Sequence, residues 1–308
     1  MKRRGIALAF VLSMLALPAV AVVVGAALHY FENRTTGTIV VSGATRPYIV
    51  HVPPRYDPAK PTPLVLSMHG AMNWPAFEMR VSGWNGLADE KGFIVAYPGG
   101  ESAGLAIFNM RGARTPARMP DVVFISQLID KLQASYNIDP SRIYANGFSN
   151  GGGMSFVLSC VLSHRIAAVG LVASAQTLPW EWCTDTKPVP MIAFHGTADA
   201  GTPYRGGKVW FAPDPFPSIP KWAANWARRN RCAPSAVESA TTASVSKLEY
   251  TRCADDASVV LYTIRDGGHT WPGGLQLPEW ILGATSRDID ATRVMWKFYE
   301  EHRLEAKK

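Results

Sequence analysis

The sequence predicts an α/β fold: a mainly parallel central sheet with helices on both faces. Three observations carry that expectation. Compact apolar, β-branched runs alternate with helix-period segments through most of the chain after residue 64. Gly147-Phe148-Ser149-Asn150-Gly151 stands between one such run, Arg142-Ile143-Tyr144-Ala145, and a helix-like run from Met154 to Leu162. With 308 residues, 47% of them hydrophobic and 18% charged, the chain can bury a large core.

The first segment, residues 1–31, opens with Lys2-Arg3-Arg4 and continues with 24 uncharged residues from Gly5 to Leu28. About 20 helical residues span a hydrocarbon core, and a signal-peptide core is shorter, about 7–15. The length favours an uncleaved membrane anchor; Ala19-Val20-Ala21 is the competing cleavage site. Basic residues stay cytoplasmic, so residues 32–308, read as one domain, are expected outside the cytoplasm, periplasmic or secreted and tethered if the segment stays. Of the net +7, Lys2, Arg3 and Arg4 supply three and residues 303–308 a net two. About two remain for the body, which argues against a nucleic-acid surface.

Thr38–Val41 and Tyr48–Val52 read as an edge hairpin, followed by a Pro-rich connection that excludes an interior strand. Residues 64–68 form a buried strand ending in His69-Gly70-Ala71. Asn73–Lys91 is mostly helical and closes at Gly92. Phe93–Tyr97 is a strand stopped by Pro98-Gly99-Gly100. Residues 101–119 show no period and read as loop. Asp121–Tyr136 carries a helical apolar stripe, and strand 142–146 leads to the Gly-x-Ser-x-Gly turn. Strands follow at 167–173, 189–194 and 259–264, with helices at 220–229 and 288–302. Residues 231–257 are polar and read as a small excursion clipped by a cysteine at each end.

Four cysteines, Cys160, Cys183, Cys232 and Cys253, suit an oxidising compartment. They permit three pairings; the sequential one closes the shortest loops, and the spacing is not that of a zinc site.

A serine raised on a strand–turn–helix elbow needs a base within reach, and the base needs an orienting carboxylate. In the order Ser, acid, His, the candidates are Ser149, Asp199 in His195-Gly196-Thr197-Ala198-Asp199, and His269 in Gly267-Gly268-His269-Thr270-Trp271. Asp199 and His269 both follow strands, where ligand-facing loops gather. His195 reads as a locally bonded strand-end residue. The backbone amides of Asn150 and Ala71 are the candidate oxyanion donors. His69 and Trp271 are candidate substrate contacts, and Trp180 and Trp182 lie in a ligand-side loop.

The chain resembles the polyhydroxybutyrate depolymerase and feruloyl/acetylxylan esterases, carbohydrate esterase family one in the wide sense. The matching stretches are Leu66–Gly70, Gly92–Pro98, Ile138–Tyr144, the elbow, Phe194–Asp199 and Gly268–Gly273. The resemblance implies an α/β-hydrolase fold, a Ser149-Asp199-His269 triad, and neither metal nor cofactor. It also supports the sequential disulfides. The expected function is hydrolysis of small or oligomeric carboxylic esters, with a peptidase of related fold or a non-catalytic binding protein as alternatives. Two departures stand out. The paired acidic motif before the elbow keeps one acid, Asp121, and loop 101–118 carries Arg111, Arg114 and Arg118. Oligomeric state is not legible.

Overall fold

The computed structural model describes residues 35–100, 108, 119–209 and 215–305. All of them after Thr35 belong to one compact unit, Thr36–Lys308. The anchor predicted over residues 1–31 lies outside them, as does most of loop 101–118. Among the described residues no helix is long and apolar enough to cross a membrane.

Among the described residues ten strands form one sheet: β1 (Gly37–Val41), β2 (Ala44–His51), β3 (Thr62–Met68), β4 (Ile94–Pro98), β5 (Ile138–Phe148), β6 (Ala168–Val172), β7 (Met191–Gly196), β8 (Val237–Ala240), β9 (Val245–Tyr250) and β10 (Val259–Ile264). Their order is β1-β2-β4-β3-β5-β6-β7-β10-β9-β8. The run from β4 to β10 is parallel throughout. An antiparallel pair closes each edge. The first edge is the predicted hairpin. Its turn, Ser42-Gly43, has φ of 51° and 81°, the left-handed pair that a two-residue hairpin requires.

The other edge departs from expectation. The polar stretch 231–257 is not a detached excursion, because β9 pairs with β10 and β8 lies outside it. Every residue of β8 is exposed, and β9 is only half-buried after Val245. The alternation that would have marked two strands is therefore absent. Cys232–Cys253 closes the base of this extension, and Cys160–Cys183 ties the helix after the elbow to the loop after β6. Both sequential pairs are formed.

The helices are α1 (Pro75–Ser82), α2 (Trp84–Lys91), α3 (Pro120–Ser135), α4 (Asn150–Val161), α5 (Ile219–Arg229), α6 (Glu279–Leu282) and α7 (Ala291–Glu300). The segment expected as one helix before Gly92 breaks at Gly83 into α1 and α2. The last helix starts three residues later than expected, where the Asp290 side chain accepts from Arg293 N–H.

Two apolar layers cover the sheet. One packs α3, α4 and α5 through Phe124, Phe156 and Trp222; the other packs α1, α2 and α7 through Val81, Trp84 and Met295. Strand β3 divides between them by its period of two: Leu64, Leu66 and Met68 enter one layer and Val65 the other. Both faces are therefore dry, and ligand access is left to the loops at the strand ends.

Candidate active site

Ser149 follows β5 directly and precedes α4. Its backbone is held at φ 51°, ψ −113°, a conformation that costs a non-glycine residue on the order of 1–3 kcal/mol. The surroundings impose it. Ser149 N–H donates to Val172 O at 2.8 Å. A Cβ at Gly147 would lie 2.6 Å from Met68 O, and one at Gly151 would lie 2.0 Å from the same atom. The two glycines of the motif are thus required because the elbow sits on the backbone at the end of β3.

Asp199 lies just past β7, and its side chain is fully buried. Thr202 N–H donates to Asp199 Oδ1 at 2.7 Å. His269 lies past β10. Its Nδ1 is 2.9 Å from both carboxylate oxygens, so Nδ1 carries the proton and the basic lone pair is on Nε2. The imidazole is only half-buried. Backbone bonds fix its loop: His269 N–H to Leu282 O at 2.6 Å and Gly268 N–H to Ala284 O at 2.9 Å. The Asp199 and His269 loops are tied directly, since Ala198 N–H donates to Gly267 O at 3.0 Å.

Ser149, Asp199 and His269 therefore stand at the same, C-terminal edge of the parallel strands. The His269 ring packs on Phe148, the residue before Ser149, with centroids 5.0 Å apart. Asp199 and His269 are joined by hydrogen bonds; Ser149 and His269 are not joined by one in this structure. Such contacts are often loose without substrate and tighten on binding. Ala71 is exposed in the turn after β3. The amide of Asn150 is in the first turn of α4, where a helix has no acceptor of its own for its N–H groups.

A family model described as phospholipase/carboxylesterase matches residues 117–210. The protein NocK of Nocardia uniformis subsp. tsuyamanensis, named as an esterase, is 31% identical over 83% of this chain and 80% of its own. A protein of Aspergillus oryzae named feruloyl esterase C is 32% identical over 73% of this chain and 76% of its own. The chain belongs to the feruloyl-esterase-like family of α/β-hydrolases. An acetyl xylan esterase from Aspergillus awamori shares the fold, with a TM-score of 0.61 over 85% of this chain and 97% of its own at 15% identity. This protein is accordingly a carboxylic ester hydrolase.

Two expected substrate contacts of this esterase are corrected by the structure. His69 is buried, with Nδ1–H donating to Gly70 O at 2.8 Å and Nε2 accepting Gly100 N–H at 2.8 Å. Burial pushes its pKa down to about 4, so it is neutral. With both nitrogens engaged it pins the end of β3 to the end of β4 and has none to offer a ligand. Trp271 is completely buried, and its indole N–H donates to Thr292 Oγ1 at 2.9 Å. It anchors the His269 loop to α7. Trp180 is half-buried and packs edge-on against Phe156 and Trp226 of the core.

The side chain of Asn150 has a role beyond its amide. Its Oδ1 accepts Phe108 N–H at 2.7 Å and its Nδ2 donates to Phe108 O at 3.2 Å. Phe108 in turn is buried against the His69 ring, centroids 4.9 Å apart. Asn150 thus fixes the one described residue of loop 101–118. Asp121 is buried in an ion pair with Arg46, which also donates to Gly99 O.

Among the described residues no three His, Cys, Asp or Glu side chains converge as a metal site. A cavity of about 360 Å³ lies at the opposite end of the parallel strands, beside Thr62, Gly92 and Arg142. Of the five cations that line it, Lys60, Lys91 and Arg142 pair with Asp57, Glu90 and Asp139, and it takes no part in the site.

Proposed function

We propose that this protein is an exported serine esterase using Ser149, His269 and Asp199 as a triad. The observation that carries the reading is the buried Asp199 carboxylate on His269 Nδ1, at the sheet edge where the strained Ser149 elbow also emerges. His269 Nε2 removes the Ser149 hydroxyl proton as Oγ attacks the ester carbonyl. The backbone amides of Asn150 and Ala71 hold the oxyanion. The proton passes to the leaving alcohol, and water, activated by His269, releases the acid from the acyl-enzyme. Asp199 stays ionised and stabilises the imidazolium.

The substrate class is polyhydroxyalkanoate oligomers or feruloyl and acetyl esters of sugars. The second of these accords with what the names of its relatives state for those proteins. Two disulfides support an extracytoplasmic place for the catalytic domain, residues 32–308, with residues 1–31 as anchor or signal. Ser149→Ala tests the triad. Turnover of short p-nitrophenyl esters should fall by roughly 10⁴-fold or more, with an unchanged thermal midpoint and no labelling by a fluorophosphonate. Activity surviving in the folded variant would remove Ser149 as nucleophile.

A further inference from the structure

Asp199 carries a second imidazole. His195, the penultimate residue of β7, is buried, and its Nε2 lies 3.3 Å from Asp199 Oδ2 and 2.7 Å from Thr202 O. One carboxylate is thus flanked by His269 on its accessible side and His195 on its buried side. We propose that His195 is a positioning residue of the acid–base pair, donating from Nε2 to hold the Asp199–Thr202 turn and its carboxylate against His269. This rests on the triad reading above.

The tautomer follows from the neighbours. Nε2 faces two oxygen acceptors, the Thr202 carbonyl and the Asp199 carboxylate. A lone pair pointed at both would be repelled by both, so the proton must be on Nε2. Burial pushes the ring below its ordinary value, with the push of His269 and against the pull of Asp199 and of the Thr202 and Ser174 backbone acceptors. The two imidazoles are therefore opposite tautomers on one carboxylate, Nδ1–H at 269 and Nε2–H at 195. The other groups facing His195 are the Ser174 backbone and the Tyr204 ring, 6.1 Å away between centroids.

The bonds close a ring. Thr202 N–H donates to Asp199 Oδ1, while Thr202 O accepts from His195. Gly201 lies inside this turn and against the base, since a Cβ there would be 2.9 Å from His269 Nδ1. Position therefore passes from β7 through His195 to the turn, from the turn to the acid, and from the acid to the base. A neutral donor suits this place. It orients the carboxylate without cancelling the charge that the imidazolium needs in the transition state.

Removing the donor has two signed effects. The turn that carries the carboxylate is less well held, so kcat falls by roughly 2- to 10-fold, the worth of the one hydrogen bond His195 makes to Thr202 O. KM, which reads substrate contacts that His195 does not make, stays put. The carboxylate also concentrates more charge toward His269 and holds its proton more tightly. The acid limb of the kcat/KM profile then moves to higher pH by about half a unit or more. A residue that only filled the core would lower thermal stability and leave that limb in place.

The experiment has two arms. Nitrogen-15 spectra of the wild-type histidines at pH 8 should show a neutral Nε2–H ring that disappears in His195→Gln. Kinetics should show the lowered kcat and raised acid limb in His195→Leu, with the limb restored in His195→Gln, which keeps an N–H donor. An Nδ1–H tautomer at 195, or a folded His195→Leu with the wild-type limb, overturns the inference. The spectra need no turnover, so they decide it even where the leucine variant does not fold. They also separate it from the triad itself, which Ser149→Ala tests alone.

Discussion

The proposed nucleophile and base of this esterase, Ser149 and His269, are held by different forces. The elbow is positioned by exclusion: Gly147 and Gly151 press on the backbone of β3 so closely that neither has room for one carbon more. The His269 ring is positioned by hydrogen bonds, to Leu282 through its backbone and to Asp199 through Nδ1. Steric exclusion is steep and leaves one solution, whereas hydrogen bonds tolerate small shifts at a graded cost. Damage to the first region should appear as loss of the fold, and damage to the second as loss of rate.

The largest effect expected from this contrast is at Gly151. In Gly151→Ala the new carbon would lie 2.0 Å from Met68 O and 2.7 Å from His69 O. Both are backbone atoms, Met68 O at the end of β3 paired with β5 and His69 O just beyond it, so neither can give way as the tip of a side chain could. Overpacking costs about 1–3 kcal/mol and more where backbone must move. The variant should lose at least that much in urea unfolding and show no esterase activity. Unchanged stability would mean that the elbow is not fixed by exclusion.

Gly201→Ala sharpens the other side. Its added carbon would meet a movable ring, at 2.9–3.1 Å from three atoms of His269. The imidazole can yield by turning away from its working position. The fold should survive with a thermal midpoint near wild type, while kcat falls on the order of 100-fold, the effect of an ångström-scale misplacement. A variant that unfolded instead would place the base under the same rigid constraint as the nucleophile.

What the sequence disclosed follows the same division. The elbow was legible because close backbone approach leaves a local mark, glycine on both sides of the serine. Asp199 and His269 were legible because chain order and strand ends locate them. The errors fell on residues whose partners are remote. Trp271 stands two residues from the base, yet its fate is set by Thr292 on α7, which nothing nearby announces. His69 adjoins the oxyanion loop, but the Gly100 amide from the next strand takes its free nitrogen. The side chain of Asn150 went unread because its partner, Phe108, lies in a stretch without period. Strand β8 was hidden because all of its side chains face solvent.

The smallest effect concerns pH, and it locates charge burial on the nucleophile's side of the comparison. Glu78 on α1 is completely buried, and burial pushes its pKa up to about 8 from 4.5. Its bonds agree with a protonated carboxyl. The Ser67 hydroxyl lies 2.9 Å from Glu78 Oε1 and 2.9 Å from Asn146 Oδ1, yet has one proton to give. With Glu78 protonated, its O–H donates to Ser67, and Ser67 donates to Asn146. A raised carboxyl pKa gives stability that is whole below pH 4.5 and is lost as pH rises through about 8. His69 works the other way: held at about 4 instead of 6.5, it favours the fold above pH 6.5 and ceases to as pH falls through 4. His195, also pushed down by burial, adds to that acid-side loss. Between pH 4.5 and 6.5 the slope of the histidines opposes that of Glu78. From pH 6.5 to 8 Glu78 acts alone, and stability should fall by about 2 kcal/mol, at 1.36 kcal/mol per pH unit. Glu78→Gln has no proton to lose, so its urea midpoint should stay level across that interval. A wild type level from pH 6.5 to 8, or a glutamine variant that declines with it, would show that Glu78 is ionised in the fold and that the Ser67 hydroxyl donates to it.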